Sequence, residues 1–268
     1  MKFALVDNNK TAATKGAKGF CPVCGSELIA KCGNIKLHHW AHKGNRICDP
    51  WWENETEWHR LWKNNFPVDW QEVILHDEQT GEKHIADIRT THGLVIQFQH
   101  SHLKPEERIS RESFYKNIVW VVDGTRLKRD YDRVVKGQVK FHNTNNKGIY
   151  LVSDPEQCFP SAWLKSSAPI VFDFRGAEST NDTNDLRKSL FCLYPVRIGQ
   201  ESILVTMSHE FFVKLSINGE WPVLMNNISK FRQSWQYIKD MQKRQQENLT
   251  FIRLNQALRY HQNKRRRF

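Results

Sequence analysis

Two groups of residues in this chain have the types and spacing for chemistry. The first lies in "CPVCGSELIAKCGNIKLHHWAH", where Cys21 and Cys24 stand two residues apart and His39 and His42 repeat that interval. A CxxC knuckle closed by glycine offers two thiolates to one Zn²⁺, and a second pair completes a tetrahedron. HxxH at i, i+3 suits a turn or the start of a helix. His38, Cys32 and Cys48 are further candidate ligands. Four protein ligands leave no open coordination position, so the expected zinc is structural, compensating for a short segment without a core of its own.

The second group is acidic and amide-rich. In "ENETEWHRLWK", Glu55, His59 and Lys63 recur at i, i+4 and i+8, one face of a helix. Such a face is also what a solvated helix surface looks like. Asp87 falls in "HIADIR", and Gln97 and Gln99 in "VIQFQHS" point to one side of a strand. A divalent ion that promotes phosphodiester hydrolysis needs hard oxygen ligands from several elements. Glu55, Asp87 and an oxygen of residue 97 would provide them, with the Phe98 carbonyl nearby. Gln99 could orient water. Arg108, Arg111 and Tyr115 suit phosphate contacts.

These residues need elements to position them. Residues 51–66 read as a helix with Trp58, Leu61 and Trp62 on one side, stopped by Pro67. Short β-rich runs at 71–75, 84–89 and 94–99 are separated by "DEQTGEK" and "TTHG", which bring Asp87 and Gln97 together across a hairpin. Pro105 opens a helix with Glu106 and Glu107 near its positive end, and "IVWVVDG" is a buried strand. Further strands are expected in "GIYLVS", "APIVFDFRG", "SLFCLYPVRIG" and "SILVTMS". A polar break spans 177–185, and a helix over 228–260 would bury Trp235, Ile238, Met241 and Leu249. Residues 1–50 read as a loop-rich module, 51–140 as a mixed α/β core and 141–268 as an α/β extension ending in a long basic helix and the tail "NKRRRF".

The chain has 268 residues and a formal charge of +11, which suggests an anionic partner, nucleic acid first. No apolar run is long enough to span a membrane. Six cysteines, four of them in the first 50 residues, favour metal binding over a disulfide framework and point to a reducing cytoplasm.

Several spaced motifs together resemble the CoiA-like family of competence proteins. "CPVC…HWAH" is similar to its zinc-finger-like segment. "ETEWHRLWK", "HIADIRT", "VIQFQHS" and "RESFY" are similar to the motifs of its PD-(D/E)xK-type nuclease part. The likeness covers about residues 18–125. It implies a restriction-endonuclease-like mixed sheet flanked by helices, and Mg²⁺- or Mn²⁺-dependent DNA cleavage in DNA uptake, recombination or defence against foreign DNA. It further implies an active centre of Glu55, Asp87, Gln97 and Gln99, supported by His59, Lys63, Arg111 and Tyr115. A homodimer, or partner proteins of defence or recombination, would fit that role. One departure stands out. Gln97 replaces the usual Glu, and Gln99 the Lys, so neither position carries charge; divalent affinity and activity should fall. A working natural variant, a non-catalytic DNA-binding relative and an engineered Glu-to-Gln change all remain compatible with this pair.

Overall fold

The computed structural model describes residues 1–44, 48–78, 80–176 and 185–265, with side chains to residue 259. Most of the polar break at 177–185, and the side chains of the basic tail, lie outside the described residues.

The first fifty residues are not loop-rich. They form five strands, β1 (Phe3–Val6), β2 (Asn9–Ala12), β3 (Lys18–Phe20), β4 (Glu27–Lys31) and β5 (His39–His42), in an antiparallel sheet of order β2-β1-β3-β4-β5. The strands are too short to show a period of two in sequence, yet their inward residues make a small core of Met1, Ala4, Ala13, Cys21, Leu28 and Trp40. The module therefore has apolar support of its own beside any metal.

Helix α1 (Glu57–Lys63) is half the length the sequence suggests. Thr56 caps it, accepting the His59 amide, while the His59 ring accepts the Thr56 amide; this reciprocal box starts the helix there and leaves 51–56 outside it. Trp62 is fully buried, but Leu61 faces solvent. The indole nitrogens of Trp58 and Trp62 both donate to the buried Asp173 carboxylate, which fixes α1 across the end of the main sheet.

That sheet has nine strands. It begins with β6 (Gln71–His76), β7 (Lys83–Arg89) and β8 (Val95–Gln99), an antiparallel meander. The β7–β8 turn needs Gly93, whose φ is +80°, and the Thr90 hydroxyl accepts the Leu94 amide. Helix α2 (Pro105–Tyr115) crosses over to β9 (Ile118–Asp123), parallel to β8. Helix α3 (Lys128–Gly137), β10 (Phe141–Asn143), β11 (Ile149–Val152), the short α4 (Pro155–Cys158), β12 (Ile170–Asp173), β13 (Leu190–Leu193), β14 (Ser202–Met207), α5 (His209–Asn218) and α6 (Trp221–Arg265) complete the chain. The order is β10-β11-β14-β13-β12-β9-β8-β7-β6, with β8, β9 and β12 parallel at the centre. Strands from both sides of residue 140 thus share one sheet.

Alternate residues feed two cores. Val119 and Val121 of β9 pack with Trp62, Phe212, Leu215 and Ile228 from α1, α5 and α6. Ile118, Trp120 and Val122 pack on the opposite face with Tyr115, Tyr131 and Val134 from α2 and α3. The architecture is a large mixed sheet flanked by helices. Beyond Trp235 the final helix leaves the core: Ile238, Met241 and Leu249 are exposed rather than buried. Their spacing is helical, but no element lies across from them among the described residues. No helix among these residues is long and apolar enough to cross a membrane.

Candidate functional site

The metal cluster is Cys21, Cys24, His42 and Cys48. Cys21 Sγ lies 3.9 Å from Cys48 Sγ, and His42 Nε2 lies 3.4 Å from Cys24 Sγ and 3.5 Å from Cys48 Sγ. A zinc tetrahedron with ordinary bond lengths has edges of about 3.8 Å between sulfurs and about 3.5 Å between sulfur and nitrogen. The donor set therefore fits zinc. The knuckle is shaped by Gly25, with φ +71°, whose amide donates to the Cys21 carbonyl. Burial pushes the Cys21 thiol up to about 12. For Cys24 burial acts the same way but is outweighed by hydrogen bonds from Ser26 and His42, which hold the thiol down at about 6.

His39 is not in this cluster, which corrects the ligand set read from the spacing. His39 and His42 lie on a strand, where residues three apart point to opposite faces. His39 Nδ1 instead faces the Leu37 carbonyl at 2.8 Å, and Cys48 is the fourth residue of the group that could hold the metal. The next residue ties the module to the main sheet: Asp49 accepts the Ile85 amide at 3.1 Å and pairs with His84 at 3.1 Å.

Glu53, Glu55, His59, Lys63, Glu72, Asp87, Gln97, Phe98 and Arg111 line one cleft at this junction. At its floor the ammonium of Lys63, buried, stands 2.9 Å from Asp87 Oδ1, 3.2 Å from Glu72 Oε1 and 3.6 Å from Glu55 Oε1. Burial alone would lower the Lys63 pKa; these three carboxylates outweigh it and raise it. Burial would raise Glu72, but Lys63, the terminal amino group and the amides of Lys2 and Phe3 hold it at about 2. Glu55 is lowered too, burial being offset by Lys63 and by Arg60, which it grips with both oxygens. Glu55 precedes α1 rather than lying on it, yet the extended segment still delivers its carboxylate to Lys63.

Strands β7 and β8 part at this point. Their pairing ends at Ile88 and Ile96. The Phe98 amide bonds to Asp87 Oδ2 at 3.0 Å instead of to backbone. The Ile85 carbonyl receives the Gln97 amide at 3.3 Å and the Tyr115 hydroxyl at 3.1 Å. Side chains thus replace the missing ladder bonds, which keeps the buried backbone satisfied and places Asp87 and Gln97 in the gap. The Gln97 amide has a structural task here as well as a place in the cleft.

Glu53 is the residue the sequence did not single out. It accepts from Gln99 Nε2 at 2.5 Å, from the His100 amide at 3.0 Å and from the Ser101 hydroxyl, and pairs with His59 Nε2 at 2.6 Å. Burial would raise its carboxyl, but the His59 contact and these donors hold it at about 2. Because His59 Nδ1 accepts the Thr56 amide, the proton sits on Nε2, shared between Glu53 and the Phe98 carbonyl 3.2 Å away. Reading 51–66 as helix put Glu53 and Glu55 on different faces. Thr56 as a helix cap was the signal that could have placed both upstream, in extended chain.

The remaining expected residues divide. Arg111 lines the cleft, bonded to the Trp51 carbonyl at 2.5 Å and to Glu107. Gln99 does not line it; Glu53 holds its amide, and its buried Oε1 has no hydrogen-bond partner among the described residues. Tyr115 is buried, with its hydroxyl on Ile85, and burial raises its pKa. Arg108 is buried against Glu112, at 2.8 and 3.0 Å, on the far face of α2 beside Trp120, Ser166 and Ser167, and is not placed for phosphate. Arg108 and Arg111 are three apart, but Glu112 is a stronger partner for the first than solvent.

Residues 5–50 match the family model described as "Competence protein CoiA, N-terminal domain". A search of curated proteins finds "Competence protein CoiA" of Bacillus subtilis (strain 168), 30% identical over 139 residues. The match spans 47% of this chain and 37% of that relative's length. No solved structure matches. Both matches support a CoiA-like family.

Proposed function

We propose, on the premise that this chain is CoiA-like, that it is a metal-dependent DNA nuclease of the PD-(D/E)xK type, acting in DNA uptake, recombination or defence and attenuated by Gln97. The observation that carries this reading is the convergence of Asp87, Glu55, Glu53, Gln97 and the Phe98 carbonyl from separate elements on one cleft beside a buried lysine. Hard oxygen donors of this kind fit Mg²⁺ or Mn²⁺, with Asp87, Glu55, Gln97 Oε1 and the Phe98 carbonyl as its holders. Bound there, such an ion would polarise a phosphate and acidify a water. Lys63 balances the carboxylates and keeps them ionised. Glu53 and His59 form a hydrogen-bonded pair able to accept and pass a proton at Glu53 Oε1. Arg111 and the +11 chain charge would hold the anionic backbone of DNA.

The test is cleavage of single- and double-stranded DNA with Mn²⁺ by the protein as it stands, by Gln97→Glu and by Asp87→Ala. Stronger cleavage by Gln97→Glu and its loss with Asp87→Ala are expected. No cleavage by any form, with unchanged DNA affinity, refutes the catalytic reading. It would favour the second one, a nucleic-acid-binding or adaptor protein on the same fold. That reading is motivated by Lys63 standing among the carboxylates and by two uncharged glutamines where charge is usual.

A further inference from the structure

A second cavity lies beyond the carboxyl ends of the three central parallel strands. Its walls follow β8 (His100 to Leu103), β9 (Val122 to Leu127) and β12 (Phe172, Phe174), and it is closed by α3 and by the loop carrying Trp163. Its volume is about 230 Å³. Crevices in this position are where open α/β sheets take ligands, because the loops diverge there and helix amino ends point inward.

Its chemistry is divided. The lining includes Arg126 and Arg129, both exposed and at the amino end of α3, and Arg133 one turn further along; among the described residues no side chain caps that end. The helix dipole and the guanidinium groups act together on an anion. The apolar lining is Leu103, Trp163, Phe172 and Phe174, of which the two phenylalanines are fully buried and only Leu103 and Trp163 keep a narrow exposed margin. Phe174 comes so close to the backbone that a Cβ on Gly124 would stand 2.3 Å from its ring.

The lining also holds Asp130, buried, whose Oδ1 makes no hydrogen bond among the described residues. Its nearest cation is Arg133, 3.6 Å away. The other carboxylate in the wall is already engaged: Asp123 accepts from Thr125 and pairs with His100 at 2.7 Å. A buried acceptor without a donor is costly unless something supplies one. Inorganic phosphate can offer its own P–OH, but a phosphate monoester dianion brings only oxygens to a carboxylate, so in an ester the donor for Asp130 is a hydroxyl or amine of the attached group. A ligand that suits these groups carries a phosphate for the arginines, a hydroxyl or amine for Asp130 and an apolar part that meets the exposed margins of Leu103 and Trp163.

We propose that this cavity is a nucleotide site that recognises a nucleoside 5′-phosphate, either free or at the end of a DNA strand. The site is separate from the cleft of Lys63 and does not depend on that cleft cutting DNA. Glu53 lies between them, since it binds the His100 amide and Ser101 on the cavity's rim.

The experiment is calorimetric titration of the full chain with deoxyadenosine 5′-monophosphate, deoxyadenosine, inorganic phosphate, and one short oligonucleotide with a 5′-phosphate or a 5′-hydroxyl. The monophosphate should bind more tightly than either deoxyadenosine or phosphate. Arg126→Ala with Arg129→Ala, both exposed and so compatible with folding, should weaken it by about a hundredfold, about tenfold for each charge-assisted contact. A preference for the 5′-phosphorylated strand that vanishes in this double variant identifies a strand end as the source. Binding of the monophosphate without that preference identifies the free nucleotide. Equal binding of phosphate and monophosphate, or an unchanged affinity in the double variant, overturns the proposal.

Discussion

Replacing Lys63 by methionine removes a charge around which three carboxylates are arranged and keeps nearly the same length of side chain. In the native protein Lys63 is buried 2.9–3.6 Å from Asp87, Glu72 and Glu55, so its loss leaves carboxylates facing each other without their shared cation. Breaking a buried ion pair by removing one partner costs about 3–5 kcal/mol. For a chain of this size that corresponds to a fall in Tm of roughly 6–20 °C at pH 7. The pH dependence separates this cause from a simple packing loss. Lys63 has a raised pKa, so its contribution is fully present at neutral pH and is lost only in strong alkali. Glu55 and Glu72 are depressed, Glu72 to about 2; their contribution is present above about 4.3, the unfolded glutamate value, and is lost as pH falls towards 2. Without Lys63 these carboxyls take up protons more readily in the folded state. The deficit of Lys63→Met should therefore be largest near pH 7 and narrow below about pH 4.5. Thermal melts of both proteins from pH 3 to 8 measure it. A shift under about 2 °C, or a deficit that does not change with pH, would refute the account of Lys63 as the cation that organises the cleft.

Three further outcomes are expected. Cys48→Ser should lose bound zinc in a chelator-release assay, whereas His39→Ala should retain it, because only Cys48 joins the cluster with Cys21, Cys24 and His42. Glu53→Gln should destabilise by about 1–3 kcal/mol in denaturant titrations at pH 7, since it weakens charge-assisted bonds to His59, His100 and Ser101. Because Glu53 is held at about 2, that loss should fade as pH drops from about 4.3 towards 2. Arg108→Ala should lower stability by about 3–5 kcal/mol through the stranded Glu112, measured by denaturant titration at pH 7.

The residue types of both sites were legible in the sequence because ligand chemistry is carried by side chains and their intervals. The CxxC knuckle and the Asp87–Gln97 hairpin depend on neighbours within a turn or a hairpin, and short-range rules reach that far, whereas Glu55 meets Lys63 from extended chain and not on the helical face that their spacing suggests. The unbroken apolar run from Ile118 to Val122 likewise announced a buried strand. What sequence could not decide were choices between partners far apart in the chain. His39 or Cys48 as a zinc ligand depended on whether 39–42 became helix or strand, and pairing with β4 made it strand. Glu53 reaches its role only because Thr56 starts the helix late and β8 ends where His100 and Ser101 can donate to it. Arg108 and Arg111 have the same chemistry, and packing alone sent one to Glu112 and the other to the cleft. Composition and local spacing determined which candidate ligand atoms and charged groups this protein has; the tertiary structure decided which of them meet, because burial makes each charged group take the nearest partner that the fold brings to it.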